Sequence, residues 1–331
     1  QRPLPGTTIT GKERIEATDA CVKAFLKPDK SVYYVGETIP LNDLSNTLNI
    51  VATKGVDEFY RGDIANAISQ DMQAHNGFVT LQDLHGYKPK ISKPLWGSYH
   101  GIKIATVPAP NTGMTVLQLL KLVEPFNLGS MDHNGPEYLH IMSSAMSLAH
   151  KDRLEYNGDP DFVNVPVTEV VLNPKRIAQQ QQQIKKGISA SSLNAFGSGD
   201  TTHVNVIDKK GNVFCVTHTL GWASGVVTPG LGFVFNNGMN LADPQPGKLN
   251  SIAPGKARGT NMVPTLVCDG NGTPLTAVGA PGGAVIVSAV FQAIVNLLDF
   301  NMSPVEAVSC PRIHCEGGKV FLEAGIRTDY T

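Results

Sequence analysis

Thr201 is the residue of this sequence best placed to do chemistry, because it directly follows a run of small residues whose backbone can adopt many conformations. The stretch GSGDTTHVNV, residues 197–206, places Asp200 and Thr201 after a glycine-rich run and before an alternating strand pattern. A threonine hydroxyl is nearly inert at neutral pH unless a base removes its proton. A free α-amino group titrates at about 7.7 to 8.0, so a threonine at a chain terminus carries its own base.

That chemistry requires the peptide bond between Asp200 and Thr201 to break first. The Thr201 hydroxyl can attack the Asp200 carbonyl, which moves the acyl group from nitrogen to oxygen and leaves an ester for water. Gly197 and Gly199 would let the backbone adopt the required conformation at low steric cost. The alternative from the residues alone is that Thr201 and Thr202 simply enter a strand, where threonine is common. Thr202 is also the rival nucleophile.

A second stretch that could take part in catalysis is Pro281-Gly282-Gly283, which directly precedes a long apolar segment. Unhindered backbone N–H groups at the start of a helix suit a tetrahedral oxyanion, and removing one such donor typically costs ~3 kcal/mol. The alternative interpretation of Gly282 and Gly283 is a tight turn between a strand and a helix.

Other familiar sites lack support. The run Gly197-Ser198-Gly199 starts like a dinucleotide fingerprint, but Thr202 stands at the third glycine position and a strand follows. No serine-hydrolase elbow, P-loop or H-E-x-x-H motif occurs. Cys310, His314 and Cys315 would make an incomplete zinc set, so ordinary packing is the prediction there. The sequence therefore predicts neither a metal nor a cofactor.

The composition narrows the class of partner. The chain has 331 residues, 41% hydrophobic composition and a formal net charge of -1, which predicts a globular protein with a sizeable core and argues against nucleic acid or an anionic membrane as a partner. Five scattered cysteines do not form a disulfide framework. The apolar segment from Ala284 to Phe300 is too short for a spanning helix and predicts a buried one. The opening QRPLPGTTIT has no apolar run, so no compartment is indicated.

The elements that must position these residues change character along the chain. The first two hundred residues have helical patterns, including a capping box at Thr80 to Asp83 and a buried helix after Asn111-Thr112-Gly113. YHGIKIATVPAP alternates as a strand. The segment from Pro174 to Asp200, which contains five consecutive glutamines, predicts an exposed helix end running into a mobile connector.

The last part of the chain has strand patterns. HVNVID and VFCVTHT are joined across Lys209 to Asn212, which predicts a hairpin. TLVCDGNGTPLTAVGA predicts a second hairpin that turns at Asp269 to Gly272. The helix that follows is apolar around most of its circumference, so both of its sides must be covered.

Taken in order, the motifs of nearly the whole chain resemble the γ-glutamyltranspeptidase family of N-terminal-nucleophile hydrolases. They are DEFYRGDIANAI, GFVTLQDLHGY, RLEYNGDPDF, TTHVNVIDKKGNVFCVTHT, GLGFVFNNGMN, PGKARGTNMVPTLV, GAPGGA and PRIH. The resemblance implies an α+β fold, a four-layer αββα sandwich of two mainly antiparallel sheets between helices. It also implies a helix-rich large-subunit segment, residues 1–200, whose start is truncated, and a small-subunit segment, residues 201–331. The two would stay intertwined as one structural domain and a heterodimer after cleavage.

By that resemblance Thr201 is the nucleophile, Thr219 holds its amine and hydroxyl, and Gly282 and Gly283 form the oxyanion hole. Asp200 and Thr201 flank the cleaved bond. The implied activity is that of a γ-glutamyltransferase and glutathione hydrolase, which passes an acyl group to water or to an amino acid or peptide. A periplasmic or extracellular location is implied as well.

The substrate positions depart from the usual family pattern. They are Gly221, Asn237, Gly238, Asn240, Thr260 and Asn261. Gly221, Gly238 and the pair Asn240-Leu241 stand where relatives supply groups for an α-ammonium, which needs an anionic or accepting partner. Thr260 and Asn261 stay polar and can bind a carboxylate. Lys256 and Arg258 could add charge, although surface placement is the expectation for both.

Two alternatives therefore stay open beside the γ-glutamyl enzyme. One keeps the chemistry but acts on glutaryl-type amides, as in the cephalosporin acylase branch of the family. The other is an uncleaved, non-catalytic relative. The short stretch from Met239 to Lys256 predicts an open cleft in which hydrolysis is favoured over transfer. Full-length relatives also carry further segments at both ends, including an upstream arginine that binds the substrate carboxylate.

Overall fold

The chain divides into two compact units in this computed structural model, which describes residues 11–187 and 200–327. The first unit contains Gln1–Ile91 and Trp222–Asn237, and the second contains Ser92–Gly221 and Gly238–Thr331. The sequence prediction of two segments that meet between residues 200 and 201 concerns cleavage products, so it stays a prediction beside these spatial units. The predicted connector and its glycines, residues 188–199, lie outside the described residues.

The first unit is built from short helices. They are α1 (Gly11–Ile15), α2 (Asp19–Phe25), α3 (Asn42–Lys54), α4 (Asp57–Arg61), α5 (Asp63–Ala74) and α6 (Leu81–Gly86). The capping box predicted at the start of α6 is present, with the Thr80 hydroxyl accepting from the Asp83 N–H and the Asp83 carboxylate accepting from the Thr80 N–H. Ile64 and Ile68 of α5 are buried together with Leu231, so the later segment completes this core.

Three hydrogen bonds tie the segment Trp222–Asn237 to the early helices of this unit. The Thr47 hydroxyl donates to the Leu231 carbonyl at 2.9 Å, and the Thr18 hydroxyl donates to the Gly225 carbonyl at 2.9 Å. The Thr228 hydroxyl donates to a carboxylate oxygen on α5 at 2.8 Å. Residues far apart in sequence therefore share one small core.

The second unit carries the strands and the longest helices. Its early part contains β1 (Leu95–Tyr99), β2 (Ile102–Thr106), α7 (Gly113–Val123), a 3-10 helix (Leu128–Ser130), α8 (Pro136–Tyr156), a π-helix (Val167–Val171) and α9 (Pro174–Lys186). Its later part contains β3 (Asp200–Ile207), β4 (Val213–Gly221), a 3-10 helix (Gly238–Leu241), β5 (Thr265–Cys268), β6 (Pro274–Val278), α10 (Val285–Leu298), α11 (Pro304–Ser309), β7 (Ile313–Cys315) and β8 (Val320–Leu322).

The strands form antiparallel sheets, in agreement with the predicted α+β class. A four-stranded sheet has the order β1-β2-β5-β6, and β3 with β4 and β7 with β8 form two-stranded sheets. Both predicted hairpins, β3 with β4 and β5 with β6, are confirmed. The single strand predicted in YHGIKIATVPAP is instead the turn after β1 followed by β2, because His100 and Gly101 have φ values of 49° and 79°.

The core of the second unit lies around α7, α8 and α10. Val116 and Leu120 of α7, Met142 of α8, and Val290 and Phe291 of α10 are completely or almost completely buried. The buried apolar helix predicted from Ala284 onward is therefore confirmed as α10. In residues 11–187 and 200–327, no helix is long and apolar enough to cross a membrane.

A buried carboxylate joins the helices α7, α8 and α9. Asp152 accepts from Gln118 at 2.6 Å, from Gln180 at 2.9 Å and from Arg176 at 2.6 Å. The end of α9 is exposed at Lys185 and Lys186, as predicted, but Gln180 in the middle of the helix is only 5% exposed. A buried charge needs partners, and the amide of Gln180 is one of those that Asp152 requires.

Candidate active site

The hairpin of β3 and β4 places Thr201 opposite Thr219. The two hydroxyl oxygens lie 2.9 Å apart. Asp200 pairs with Gly221 whereas Thr201 pairs with Thr219, so Leu220 is an extra residue in a bulge at this point. Bulges interrupt regular pairing and re-aim neighbouring side chains. Here the bulge lies at the bond between Asp200 and Thr201.

The Thr219 hydroxyl makes three contacts at this bulge. It accepts a hydrogen bond from the Gly221 N–H at 2.9 Å and lies 3.0 Å from the Asp200 carbonyl oxygen, to which it donates. A hydroxyl has one proton and two acceptor sites. Since that proton points at the Asp200 carbonyl, the bond with Thr201 is donated by Thr201. The Thr219 hydroxyl therefore polarises the Asp200 carbonyl and, at the same time, accepts the hydrogen bond of the Thr201 hydroxyl.

His203 anchors the same face of β3, two residues after Thr201. Its Nδ1 lies 2.9 Å from the Thr217 hydroxyl and its Nε2 lies 3.0 Å from Asn205 Oδ1. The Asn205 amide donates to the Ala277 carbonyl of β6 at 3.0 Å. A Cβ atom on Gly279 would fall 2.1 to 2.5 Å from the His203 ring. This packing was not predicted from the sequence.

Gly282 and Gly283 follow β6 and precede α10. Their φ values are +126° and +65°, a region that favours glycine. The helix itself begins at Val285, and Ala284 between Gly283 and the helix is its N-cap residue. Both glycines therefore lie in the turn that leads into the helix, and their assignment as an oxyanion hole stays a prediction.

Thr260 and Asn261 lie in the loop before β5, which is tied to α7 and α8. The Thr260 N–H donates to the Pro110 carbonyl at 3.1 Å, and the Thr112 hydroxyl donates to the Asn261 carbonyl at 3.1 Å. The guanidinium of Arg153 donates to Oδ1 of Asn261. Arg153 belongs to the RLEYNGDPDF motif, but sequence reasoning did not single it out because its partner lies 108 residues away.

The other predicted substrate positions occupy different places. Gly221 ends β4 with a φ of +67°, in contact with Thr219 through its N–H. Gly238 and Asn240 belong to the 3-10 helix that lies beside β4. Asn237 belongs to the first unit, where its N–H donates to the Trp222 carbonyl at 2.8 Å. The roles of these residues stay predictions.

The basic residues near Thr260 are less exposed than expected. Arg258 is half-buried, and burial lowers the pKa of its guanidinium. It donates to the Gly259 carbonyl at 3.2 Å, and no carboxylate among the described residues lies within 4 Å of it. The amine of Lys256 lies 5.9 Å from the centre of the Phe162 ring. Surface placement is therefore wrong for Arg258.

Beneath this loop lies a buried polar cluster of α8, α10 and β7. The Ser288 hydroxyl lies 2.7 Å from His314 Nδ1, and His150 Nδ1 lies 3.2 Å from Glu316 Oε1. Burial is the largest cause that lowers the pKa of His150 to about 3 and that of His314 to about 4, and the nearby Arg153 charge adds to it. Both rings are therefore neutral at pH 7.

His314 at the end of the PRIH motif and Cys315 after it take part in ordinary packing. Cys315 is buried, and His314 bonds to Ser288. In the part of the chain that the structure describes, no group of three His, Cys, Asp or Glu side chains is arranged to hold a metal ion.

A model of the family described as Gamma-glutamyltranspeptidase matches residues 4–331. The chain belongs to this family. The structural comparison agrees, since a cephalosporin acylase from Bacillus halodurans superposes with a TM-score of 0.85 at 26% sequence identity, over 96% of this chain and 59% of that one. The γ-glutamyltranspeptidase family resemblance and the α+β fold predicted from the sequence are thus confirmed.

Two curated relatives of the γ-glutamyltranspeptidase family have equal identity to the chain. An Acylase ACY 1 proenzyme from Pseudomonas sp. (strain SE83) is 34% identical over 98% of this chain and 59% of its own length. A glutathione hydrolase proenzyme from Bacillus subtilis subsp. natto is 34% identical over 92% of this chain and 55% of its own length. The chain therefore spans less than two thirds of the curated relatives it matches.

Proposed function

We propose that this chain carries the self-cleaving nucleophile of an N-terminal threonine hydrolase that breaks γ-glutamyl amide bonds. The observation that supports this proposal best is a double contact of the Thr219 hydroxyl. It lies 2.9 Å from the Thr201 hydroxyl and 3.0 Å from the Asp200 carbonyl oxygen. The same hydroxyl touches the proposed nucleophile and the carbonyl that it must attack.

Cleavage starts with attack of Thr201 Oγ on the Asp200 carbonyl carbon. The C–N bond breaks, the amide nitrogen becomes the amine of Thr201, and the acyl group is held as an ester on its oxygen. Water then hydrolyses the ester, which frees the hydroxyl and leaves the Asp200 carboxylate. Thr219 supports the first step because its proton stabilises charge on the Asp200 oxygen as the carbonyl becomes tetrahedral.

Turnover uses the amine that cleavage releases. The amine of Thr201 takes the proton of its own hydroxyl as that oxygen attacks the γ-carbonyl of the substrate, and it returns the proton to the departing amine. The N–H groups of Gly282 and Gly283 stabilise the oxyanion. Water or an amino acid or peptide then attacks the acyl-enzyme, so the substrate partners are glutathione-like amides and these acceptors. The two fragments stay associated as a heterodimer.

Incubation of the purified chain tests this proposal. Intact-mass analysis should show two fragments whose masses sum to the chain plus one water, and N-terminal sequencing of the smaller should begin at Thr201. The processed material should release 4-nitroaniline from its γ-glutamyl derivative. A chain that stays whole, or that is cut elsewhere, would support the non-catalytic alternative.

A second donor class, glutaryl-type amides, is favoured by one observation. The 3-10 helix beside β4 presents Gly238, Asn240 and Leu241 without an acidic side chain, and Leu241 is 40% exposed. An α-ammonium bound there would have no anionic partner on this helix, whereas a glutaryl group carries no ammonium. The names of the acylase relatives agree with this alternative.

Parallel assays with γ-glutamyl and glutaryl 4-nitroanilides separate the two donors. If kcat/KM for the glutaryl compound exceeds kcat/KM for the γ-glutamyl compound, the chain belongs with the acylase branch. If it is lower, the chain is a γ-glutamyl enzyme. Thr201→Ala, which lacks the nucleophile, is the blank for both substrates.

A further inference from the structure

Three buried polar atoms of the second unit have no hydrogen-bond partner among the described residues. They are Thr115 Oγ1 on α7, Arg153 Nε on α8 and His314 Nε2 on β7. Thr115 is 3% exposed and His314 is 8% exposed. Since buried polar atoms in folded proteins are nearly always paired, each of these three needs an explanation.

The same three residues line one small cavity beside the start of α10. Its volume is about 20 Å³, which exceeds the ~10–15 Å³ that one buried water molecule needs. Ala284 and Val287 belong to its wall. A buried water typically makes about three hydrogen bonds to polar atoms that otherwise lack a partner. The cavity therefore combines the space and the number of polar groups that one water requires.

From this coincidence we infer that the cavity is a binding site for a single water molecule, which joins Thr115, Arg153 and His314. The hydrogen-bond roles are compatible. Arginine Nε only donates, so the water accepts there, whereas a hydroxyl and a neutral imidazole nitrogen can each take either role. The water thus links α7, α8 and β7. The inference is independent of the proposed function, because that proposal gives none of these three residues a role.

His314 has one ring nitrogen left for the water. Its Nδ1 lies 2.7 Å from the Ser288 hydroxyl. Its Nε2 lies 3.8 Å from Glu316 Oε1, which is too far for a hydrogen bond. Burial is the largest cause that lowers the pKa of this ring to about 4, so at pH 7 the ring is neutral and one of its nitrogens is an acceptor. A water at Nε2 can donate or accept and so fits either tautomer.

Arg153 likewise has one nitrogen left. Its Nη1 donates to Asn261 Oδ1, and its Nη2 lies 3.1 Å from His150 Nδ1 and 3.6 Å from Glu316 Oε1. Because the guanidinium group is planar and rigid, these contacts at its two ends also hold Nε in place. The N–H at this position is a fixed donor for the water.

The charges around the cavity favour a neutral ligand. Arg153 repels a metal ion, and no group of three His, Cys, Asp or Glu side chains in the described ranges is arranged to hold one. The carboxylate of Glu316, which also lines the cavity, repels an anion. Water carries no net charge and offers both protons and lone pairs, so it meets both neighbours without a charge penalty.

A crystal structure of the full-length Thr201→Ala variant tests the site directly, because this variant is expected to stay uncut and uniform. One peak of electron density should lie about 2.7 to 3.2 Å from Thr115 Oγ1, Arg153 Nε and His314 Nε2. A cavity without density, in a map that shows other buried waters, would overturn the inference. So would an anomalous signal in the cavity after a soak in sodium bromide, since it would identify a small anion site.

The variant Thr115→Val gives a second test through the sign of its effect. Valine has the shape of threonine and a similar helix propensity but lacks the hydroxyl. If the hydroxyl binds a water, its loss should lower the urea midpoint of unfolding by about 0.3 M. If the hydroxyl has no partner, its removal should leave the midpoint unchanged or raise it, and either result would overturn the inference.

Thr168→Val is the matched control, because Thr168 is an exposed threonine in the π-helix of the same unit. Its midpoint should equal that of the Thr201→Ala parent. An equal loss in both valine variants would assign the effect to the helical backbone and overturn the inference. Thr115→Ser keeps the hydroxyl and should retain the density peak in the cavity, whereas a peak lost in this variant would count against a role for the hydroxyl.

Discussion

Thr219 holds its hydroxyl 2.9 Å from that of Thr201, across the bulge at the start of the β3 and β4 hairpin. Since Thr219 donates to the Asp200 carbonyl, Thr201 is the donor between the two threonines. One side chain thus contacts both participants in the proposed cleavage.

Thr201→Ala should give a single uncut and inactive chain, because no hydroxyl remains to attack Asp200. Gel analysis and intact mass after incubation measure the outcome. Thr202→Ala is the matched control. Its side chain is exposed on the opposite face of β3, so that variant should be cut normally. Cleavage of Thr201→Ala between residues 200 and 201 would refute the assignment.

Thr219→Val should slow cleavage about a hundredfold, since it removes the proton that stabilises the Asp200 oxygen while keeping a branched side chain of similar size. Thr219→Ser keeps the hydroxyl and should be cut at a rate near that of the parent. The rate is measured from the decay of the uncut band. Equal rates for the valine and serine variants would remove Thr219 from the mechanism.

Gly279→Ala should destabilise the hairpin by about 1 to 3 kcal/mol, because the new methyl group collides with the His203 ring and forces it away from Thr217. Cleavage should slow as well, since His203 fixes the strand that carries Thr201. Gly270→Ala is the control, because a Cβ there meets no atom within 4 Å. Urea unfolding gives the stability, and a Gly279→Ala chain as stable as the parent would contradict the packing.

The second unit should become less stable as the pH falls below about 6.5. His150 and His314 have folded pKa values of about 3 and about 4, against about 6.5 in the unfolded chain. Between about pH 6.5 and 4 the unfolded chain binds two protons that the folded chain does not. The free energy of unfolding therefore falls on acidification, with a slope approaching about 2.7 kcal/mol per pH unit for the pair.

Replacement of one buried histidine tests that slope. His150→Gln should reduce this contribution by about half, whereas His218→Gln, an exposed position on β4, should leave it unchanged. Urea midpoints between pH 7 and 5 provide the measurement. An unfolding free energy independent of pH in the parent chain would show that the two buried rings are not kept neutral.

Arg258→Met should raise KM for carboxylated donors by about tenfold while kcat changes little. The reason is that this half-buried guanidinium has no carboxylate partner among the described residues, so a substrate carboxylate is a suitable counter-ion. Lys248→Met, an exposed lysine earlier in the same loop region, should leave KM unchanged. An unaltered KM for Arg258→Met would place the donor carboxylate elsewhere.

Local chemistry predicted much of the fold. The turn residues Lys209 to Asn212 and Asp269 to Gly272 are typical of hairpins, and both hairpins formed. The strand β1 was missed because the turn after it depends on His100 at positive φ, a conformation that its residue type does not signal. The burial of Gln180 was missed because a run of identical polar residues does not reveal which of them meets a buried partner.

The candidate site was predicted less evenly. The strand pattern predicts the β3 and β4 hairpin, but the pairing of Thr201 with Thr219 followed from family resemblance, since a bulge shifts the register there. The contact of Arg153 with Asn261 joins residues 108 positions apart. No local pattern encodes such a pair, because it arises only when α8 and the loop before β5 pack together.

The residues Trp222–Asn237 follow Thr201 in the chain, yet they lie in the unit formed by the first ninety or so residues. A break before Thr201 would therefore leave each unit with parts from both products, including Leu231 in the small core of Ile64 and Ile68. If the chain is cut there as proposed, the uninterrupted polypeptide would have to fold before the cut, since a product synthesised separately would lack the partner surfaces of two hydrophobic cores, and exchange of pieces between molecules would demand unfolding both.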